Sequence, residues 1–188
     1  MNIAVKAALG CAFGFIVVGT LVGGGKSAPP APSVPLPSDQ TRFIEAVTKA
    51  RSQFIAAANE LAAGGLRNSR QQAVCNALQG NYVSGWIAKV ADQSTNGDGK
   101  GVVTLELAPN LQVSTWNNAV SDFSDKTLID PDTSLFKSLA AMRKGDTVRF
   151  SGDFFQSKVD CVREMSVTLA GSMRSPVFVM RFSSIRKL

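Results

Sequence analysis

"LFKSLAAMRKGDTVRFSGDF", residues 135 to 154, changes its hydrophobic period halfway along. Up to about Met142 the stretch suits a helix. Asp130-Pro131-Asp132-Thr133 suits its start, with acidic residues in the first turn as the helix dipole prefers. Lys144-Gly145-Asp146 then reads as a turn. From Thr147 to Phe155 apolar residues alternate with polar ones, which predicts a strand whose Arg149 points away from the core. A helix that ends in a tight turn and feeds a strand fixes one corner of the fold.

The same period of two recurs on both sides of that corner. Tyr82 to Val90 (YVSGWIAKV) predicts a strand with Trp86, Ala88 and Val90 on one face. Residues 96 to 101, Asn-Gly-Asp-Gly-Lys-Gly, are hairpin chemistry, because they tolerate positive φ. Val102 to Leu107 and Leu111 to Trp116 are the next two strands, divided by Pro109-Asn110, and Val177 to Ile185 is the fifth. Strand, strand, strand, helix, strand, strand is the order of a five-stranded OB-fold barrel, here mainly β with α. "GWIAKV" (residues 85 to 90) and the stretch at 135 to 154 resemble the tRNA-anticodon-binding-like OB-fold family of bacterial envelope proteins. In that family a helix ending in Lys-Gly-Asp feeds a strand of the form Val-x-Phe-x-Gly. The resemblance covers residues 80 to 188 and implies a fold and a setting, not an activity, since one barrel hosts many functions.

Residues 39 to 79 lie outside the resemblance and read as helical. Ser38 or Asp39 would cap a helix to about Ala63, which Gly64-Gly65 would stop, and a shorter helix would cover Ser69 to Leu78. In the first of these, Phe43, Val47, Ala50, Phe54, Ala57 and Leu61 form a heptad seam. Such a seam either packs on its own domain or makes residues 43 to 61 a self-associating stalk.

Ahead of the helices, residues 17 to 37 read "VVGTLVGGGKSAPPAPSVPLP". Gly25-Lys26-Ser27 imitates the end of a phosphate-binding loop, but Thr20 stands where the first glycine is needed. The prolines that follow cannot open a helix onto a phosphate. The uncharged run from Ala7 to Val22, flanked by Lys6 and Lys26, is instead expected to be a membrane anchor over residues 1 to 25. A cleaved signal peptide is the competing reading. Residues 26 to 38 would be a Gly/Pro-rich linker, placing the rest of the chain in the periplasm, tethered to the inner membrane.

Composition narrows the function further. The chain has no histidine, which excludes Ser–His–Asp and Cys–His catalytic sets and any histidine-ligated metal. Cys11 falls in the expected span, so Cys75 and Cys161 are expected to form one disulfide, closing a loop of about 85 residues; two separate buried thiols are the alternative. The loop Ser94 to Gly99 imitates the start of a calcium loop, but Leu105 stands where the bidentate glutamate belongs, so a hairpin is the better reading. Asp130 and Asp132 read as helix-start residues rather than catalytic acids. No cofactor, metal or catalytic residue is expected.

Binding is the remaining class. On the third strand, alternation puts Gln112, Ser114 and Trp116 on the polar face, with Trp116 as a candidate stacking platform. Arg143, Lys144, Arg149, Arg174 and Arg181 are the candidate basic contacts, with Arg186 and Lys187 nearby. The sequence therefore points to a membrane-anchored, non-enzymatic envelope module that binds a protein partner. The alternative is a single-stranded nucleic-acid-binding OB barrel.

Overall fold

The computed structural model describes residues 34–188. The expected anchor over residues 1 to 25 and most of the linker lie outside them. Among the described residues no helix is long and apolar enough to cross a membrane. The fold mixes α and β around a five-stranded sheet. Helices α1 (Ser38–Ile55) and α2 (Glu60–Ala77) precede β1 (Tyr82–Thr95), β2 (Gly101–Ala108) and β3 (Leu111–Ser114). A loop then leads to α3 (Ser134–Ala140) and β4 (Thr147–Phe154). A small hairpin, β5 (Gln156–Ser157) and β6 (Cys161–Val162), and the short α4 (Leu169–Arg174) come before β7 (Val177–Lys187).

Strand β1 is long enough to serve two neighbours. Its first half, Tyr82 to Lys89, pairs with β4, and its second half, Lys89 to Thr95, pairs with β2. β3 continues from β2 and lies parallel to β7, which pairs antiparallel with β4, so the sheet closes as β1-β2-β3-β7-β4. The expected alternation holds: Trp86, Ala88 and Val90 on β1 and Val148, Phe150 and Phe154 on β4 all face inward and are buried. Where β4 crosses β7 no side chain fits at position 152, because a Cβ on Gly152 would sit 2.5 Å from the carbonyl oxygen of Arg181. The barrel core is aromatic, with Trp86, Phe150, Phe154, Phe178 and Phe182 packed mainly edge to face.

The Lys-Gly-Asp turn shows why its residue types are needed. Gly145 adopts φ 91°, a conformation that costs other residues strain. Its N–H donates to the Val90 carbonyl at 2.8 Å, and the Val90 N–H donates back to the Asp146 carbonyl at 2.9 Å. The Asp146 carboxylate accepts the Arg143 backbone N–H at 2.9 Å and pairs with Lys187 at 2.7 Å. Lys187 and that N–H hold the Asp146 carboxyl below its ordinary pKa. The turn thus fastens the start of β4 to β1.

Several boundaries differ from expectation. The third strand stops at Ser114, so Trp116 lies beyond it. Thr133 caps α3 by accepting the Phe136 N–H at 3.2 Å, which leaves Asp130 and Asp132 ahead of the helix rather than in its first turn. Asp130 instead pairs with Lys100 at 2.8 Å. The hairpin at 96 to 100 is confirmed: the Asn96 side-chain oxygen accepts the N–H groups of Asp98 and Lys100.

The helical region departs most. Neither Ser38 nor Asp39 caps α1, since Pro37 holds the cap position without a side-chain bond. Asp39 accepts the Trp86 indole N–H at 2.9 Å instead. Gly64-Gly65 does not stop a helix. α1 ends at Ile55, Asn59 caps α2 through the Ala62 N–H at 2.9 Å, and both glycines lie inside α2. Burial of Ala63, Arg70 and Val74 holds α2 helical despite the weak propensity of glycine. A Cβ at either glycine would meet nothing within 4 Å. Gly64→Ala and Gly65→Ala are therefore each expected to raise unfolding free energy by about 0.5–1 kcal/mol, read as a higher urea midpoint at unchanged slope.

Helix α1 belongs to the barrel core. Phe43 and Val47 are fully buried, and the Phe43 ring lies 5.3 Å from Trp86, 5.5 Å from Phe154 and 5.2 Å from Phe178. Gln40 acts as a surrogate strand. Its side-chain oxygen accepts the Ile87 N–H at 2.8 Å, and its amide donates to the Ile87 carbonyl at 2.5 Å, on the flank of β1 that β2 does not reach. Arg51 caps the β2–β3 turn through the carbonyls of Pro109 and Asn110. The first half of the heptad seam thus packs on its own domain, while Leu61 stands 91% exposed on α2.

A disulfide joins Cys75 of α2 to Cys161 of β6, with Cα atoms 5.5 Å apart and a sequence separation of 86. Closing so long a loop stabilises the fold by about 4 kcal/mol on the chain-entropy estimate. Beside it, Asp160 accepts bonds from both Arg67 and Arg70, and Arg70 also donates to the Ser172 carbonyl. Arg70 and Asp160 are both buried. Burial pushes the Asp160 carboxyl up, but the two guanidinium groups outweigh it and hold its pKa below the ordinary value.

Candidate functional site

Two surfaces of the barrel offer chemistry. The first is the loop between β3 and α3. Two buried aspartates tie it down from within. Asp122 accepts the Thr127 N–H at 2.5 Å, the Thr127 hydroxyl at 2.7 Å and the Leu128 N–H at 3.1 Å. Asp125 accepts the Trp116 indole N–H at 2.8 Å and pairs with Arg163. Burial pushes the Asp125 carboxyl up, but the Trp116 and Arg163 bonds outweigh it and lower its pKa. With both carboxylates turned inward, the loop presents Val120 and Phe123 to solvent, 88% and 79% exposed. The Lys126 ammonium lies 5.3 Å from the centre of the Phe123 ring. A loop held in one shape with bare apolar side chains is suited to docking, because little ordering entropy remains to be lost on binding.

The second surface is the barrel wall over β7, β4 and β1. Arg186 stands directly opposite Arg149, and Arg149 opposite Ile87. Lys89, two residues beyond Ile87, stands opposite both Thr147 and Glu106. Lys144, in the Lys-Gly-Asp turn, shares with Lys89, Glu106 and Gln112 an open cleft of about 300 Å³.

The structure therefore sorts the residues that alternation nominated. Gln112, Lys144 and Arg149 lie on or beside the wall, and Arg143 is exposed in the same turn as Lys144. Arg149 and Arg181 both project outward, but Arg181 is paired with Asp153 at 3.3 Å and lies near the Phe155 ring. Arg174 sits elsewhere, over the Phe54 ring of α1. Ser114 does not face solvent; it is buried and shares a 2.8 Å bond with the Thr104 hydroxyl. The Ser114 hydroxyl is also within hydrogen-bond distance of the backbone carbonyls of Val103 at 3.0 Å and Thr115 at 2.9 Å, to which it can donate. Trp116 is not an open platform: it is half-buried under the loop, with its indole N–H spent on Asp125. Sequence reasoning missed the apolar loop tip and Lys89. The signal for the loop was Val120 and Phe123 spaced among small polar residues; for Lys89 it was the outward phase of β1.

Among the described residues no group of histidine, cysteine, aspartate or glutamate side chains is arranged to hold a metal ion. Comparison of the chain with protein-family models, curated proteins and solved structures finds no match.

Proposed function

We propose that this chain is a non-enzymatic binding module of a bacterial cell envelope. Residues 1 to 25 tether it to the inner membrane, and its folded domain engages a protein partner on the periplasmic side. The barrel is read as an OB fold. Support for that comes from the strand order, the parallel contact between the third and fifth barrel strands, and the helix between the third and fourth. The Cys75–Cys161 bridge supports an oxidising compartment.

The observation that carries partner binding is the pinned loop, which holds Val120 and Phe123 out in solvent by bonds made from below. Nucleic acid is the weaker reading because Trp116, its candidate stacking platform, is committed to Asp125. Two measurements in cells test the proposal. A photo-crosslinking side chain at position 123 should give one discrete protein adduct, lost on Val120→Asp; an adduct to nucleic acid, or none, would reject it. Alkylation should leave Cys75 and Cys161 blocked until reductant is added. Full reaction in unfolded, unreduced protein would remove the periplasmic setting.

A further inference from the structure

We propose that the wall built from Arg149, Arg186, Lys89 and Lys144 is a second docking site, which takes an acidic, extended segment of a protein partner. Arg149 and Arg186 are register partners on adjacent antiparallel strands, so their side chains leave the sheet side by side. Like charges in that relation destabilise a sheet. All four cations are exposed, and among the described residues none of them joins an ion pair. The carboxylates that could have neutralised them are engaged elsewhere: Asp146 by Lys187 and Asp153 by Arg181. Glu106 borders the site, on the side of Lys89 away from the arginines.

Charge on a strand often guards an open sheet edge against aggregation. That explanation does not apply to Arg149, because β4 is paired on both flanks, with β1 and with β7; Arg186 lies on the part of β7 beyond its pairing with β3. The fold thus carries an uncompensated arginine pair of which Arg149, at least, guards no open edge. An outside anion relieves the repulsion, and a carboxylate matches the planar fork of a guanidinium.

The spacing indicates the anion's form. Ile87 and Lys89 are two residues apart, so the Arg149 rung and the Lys89–Thr147 rung are separated by about 7 Å. Alternate side chains of an extended peptide have that same separation, so acids at every second residue of a segment lying along β4 meet both rungs. The residues opposite and beside the cations, Ile87 and Thr147, offer no aromatic face on which a base could stack.

The test uses the full-length protein in mild detergent and a fluorescein-labelled decapeptide of alternating glutamate and threonine, followed by fluorescence anisotropy. Binding that weakens with added salt is expected, and about tenfold or more weaker binding in Arg149→Glu/Arg186→Glu. Lys158→Glu, on the β5–β6 turn, should leave it unchanged. If the double variant fails to fold, Arg186→Gln, near the end of β7, should still show a partial loss. Absence of peptide binding, or binding indifferent to these arginines, overturns the proposal. So does tighter binding, through the same arginines, of oligothymidylate or of phosphatidylglycerol vesicles, which would make the wall a phosphate site. Because the wall and the loop at Val120 and Phe123 are separate surfaces, failure here leaves the crosslinking result at position 123 standing.

Discussion

Phe43→Ala is expected to lower the unfolding free energy by about 3–5 kcal/mol, a large part of the roughly 5–15 kcal/mol that a domain of this size possesses. The side chain is fully buried and its ring touches three others, from β1, β4 and β7. Removing it opens a cavity where helix and barrel meet. The Trp86 indole, which packs on Phe43 and donates to Asp39 one turn earlier in α1, gives the readout. Its fluorescence should shift toward that of a wet indole at a lower urea concentration than in the parent. A variant as stable as the parent, altered only in its self-association, would instead make α1 the stalk that its heptad spacing allows.

Asp160→Asn should have an effect of similar size by a different route. The change keeps the shape but removes the charge that balances Arg70, whose side chain has no solvent exposure. A buried guanidinium left without its counterion costs about 3–5 kcal/mol. Arg67, which is partly exposed, can turn to water and adds little to the loss. The pH dependence supplies a second signature. The folded-state pKa of Asp160 is depressed, so its contribution to stability is fully present above the unfolded value of about 3.9 and disappears as pH falls through the folded value. The parent's melting temperature should therefore drop as pH falls below the unfolded value and through the folded one, and that of Asp160→Asn should fall less steeply. Asp125, also depressed, keeps part of the slope in both proteins. An equal slope in the two would show that Asp160 is not the group titrating.

The barrel was legible in the sequence wherever one side of a strand met water. On β4 the alternation of Val148 and Phe150 with Thr147, Arg149 and Ser151 left little choice of register; on β1 Trp86, Ala88 and Val90 share a face, although Ile87 between them is also apolar and buried. The Lys-Gly-Asp corner was legible because φ, chain reversal and charge all asked for the same three residues. The helical region was harder. Glycine's low propensity argued for a break at Gly64-Gly65, but propensity is worth about 1 kcal/mol and the tertiary contacts of Arg70 and Val74 outweigh it. Asn59, the cap actually used, was hidden in a run of alanines whose helix preference is the strongest of any residue. At the candidate sites, periodicity reported which way a side chain leaves the backbone. It could not report that Asp125 would claim Trp116, or that Arg186 would come to rest opposite Arg149, because both depend on pairings between distant segments.

Gln40 has a further consequence for how this chain meets others of its kind. By occupying the N–H and carbonyl of Ile87 it covers part of the flank of β1 that β2 does not reach. If α1 lifts away, those groups are bared beside Trp86 and Val83 and offer a template on which a strand from another molecule can zip. The helix thus shields that flank as well as completing the core. Proteolysis or mutation that loosens the helix is therefore expected to raise self-association, seen as a larger sedimenting species; a species of unchanged size would refute it.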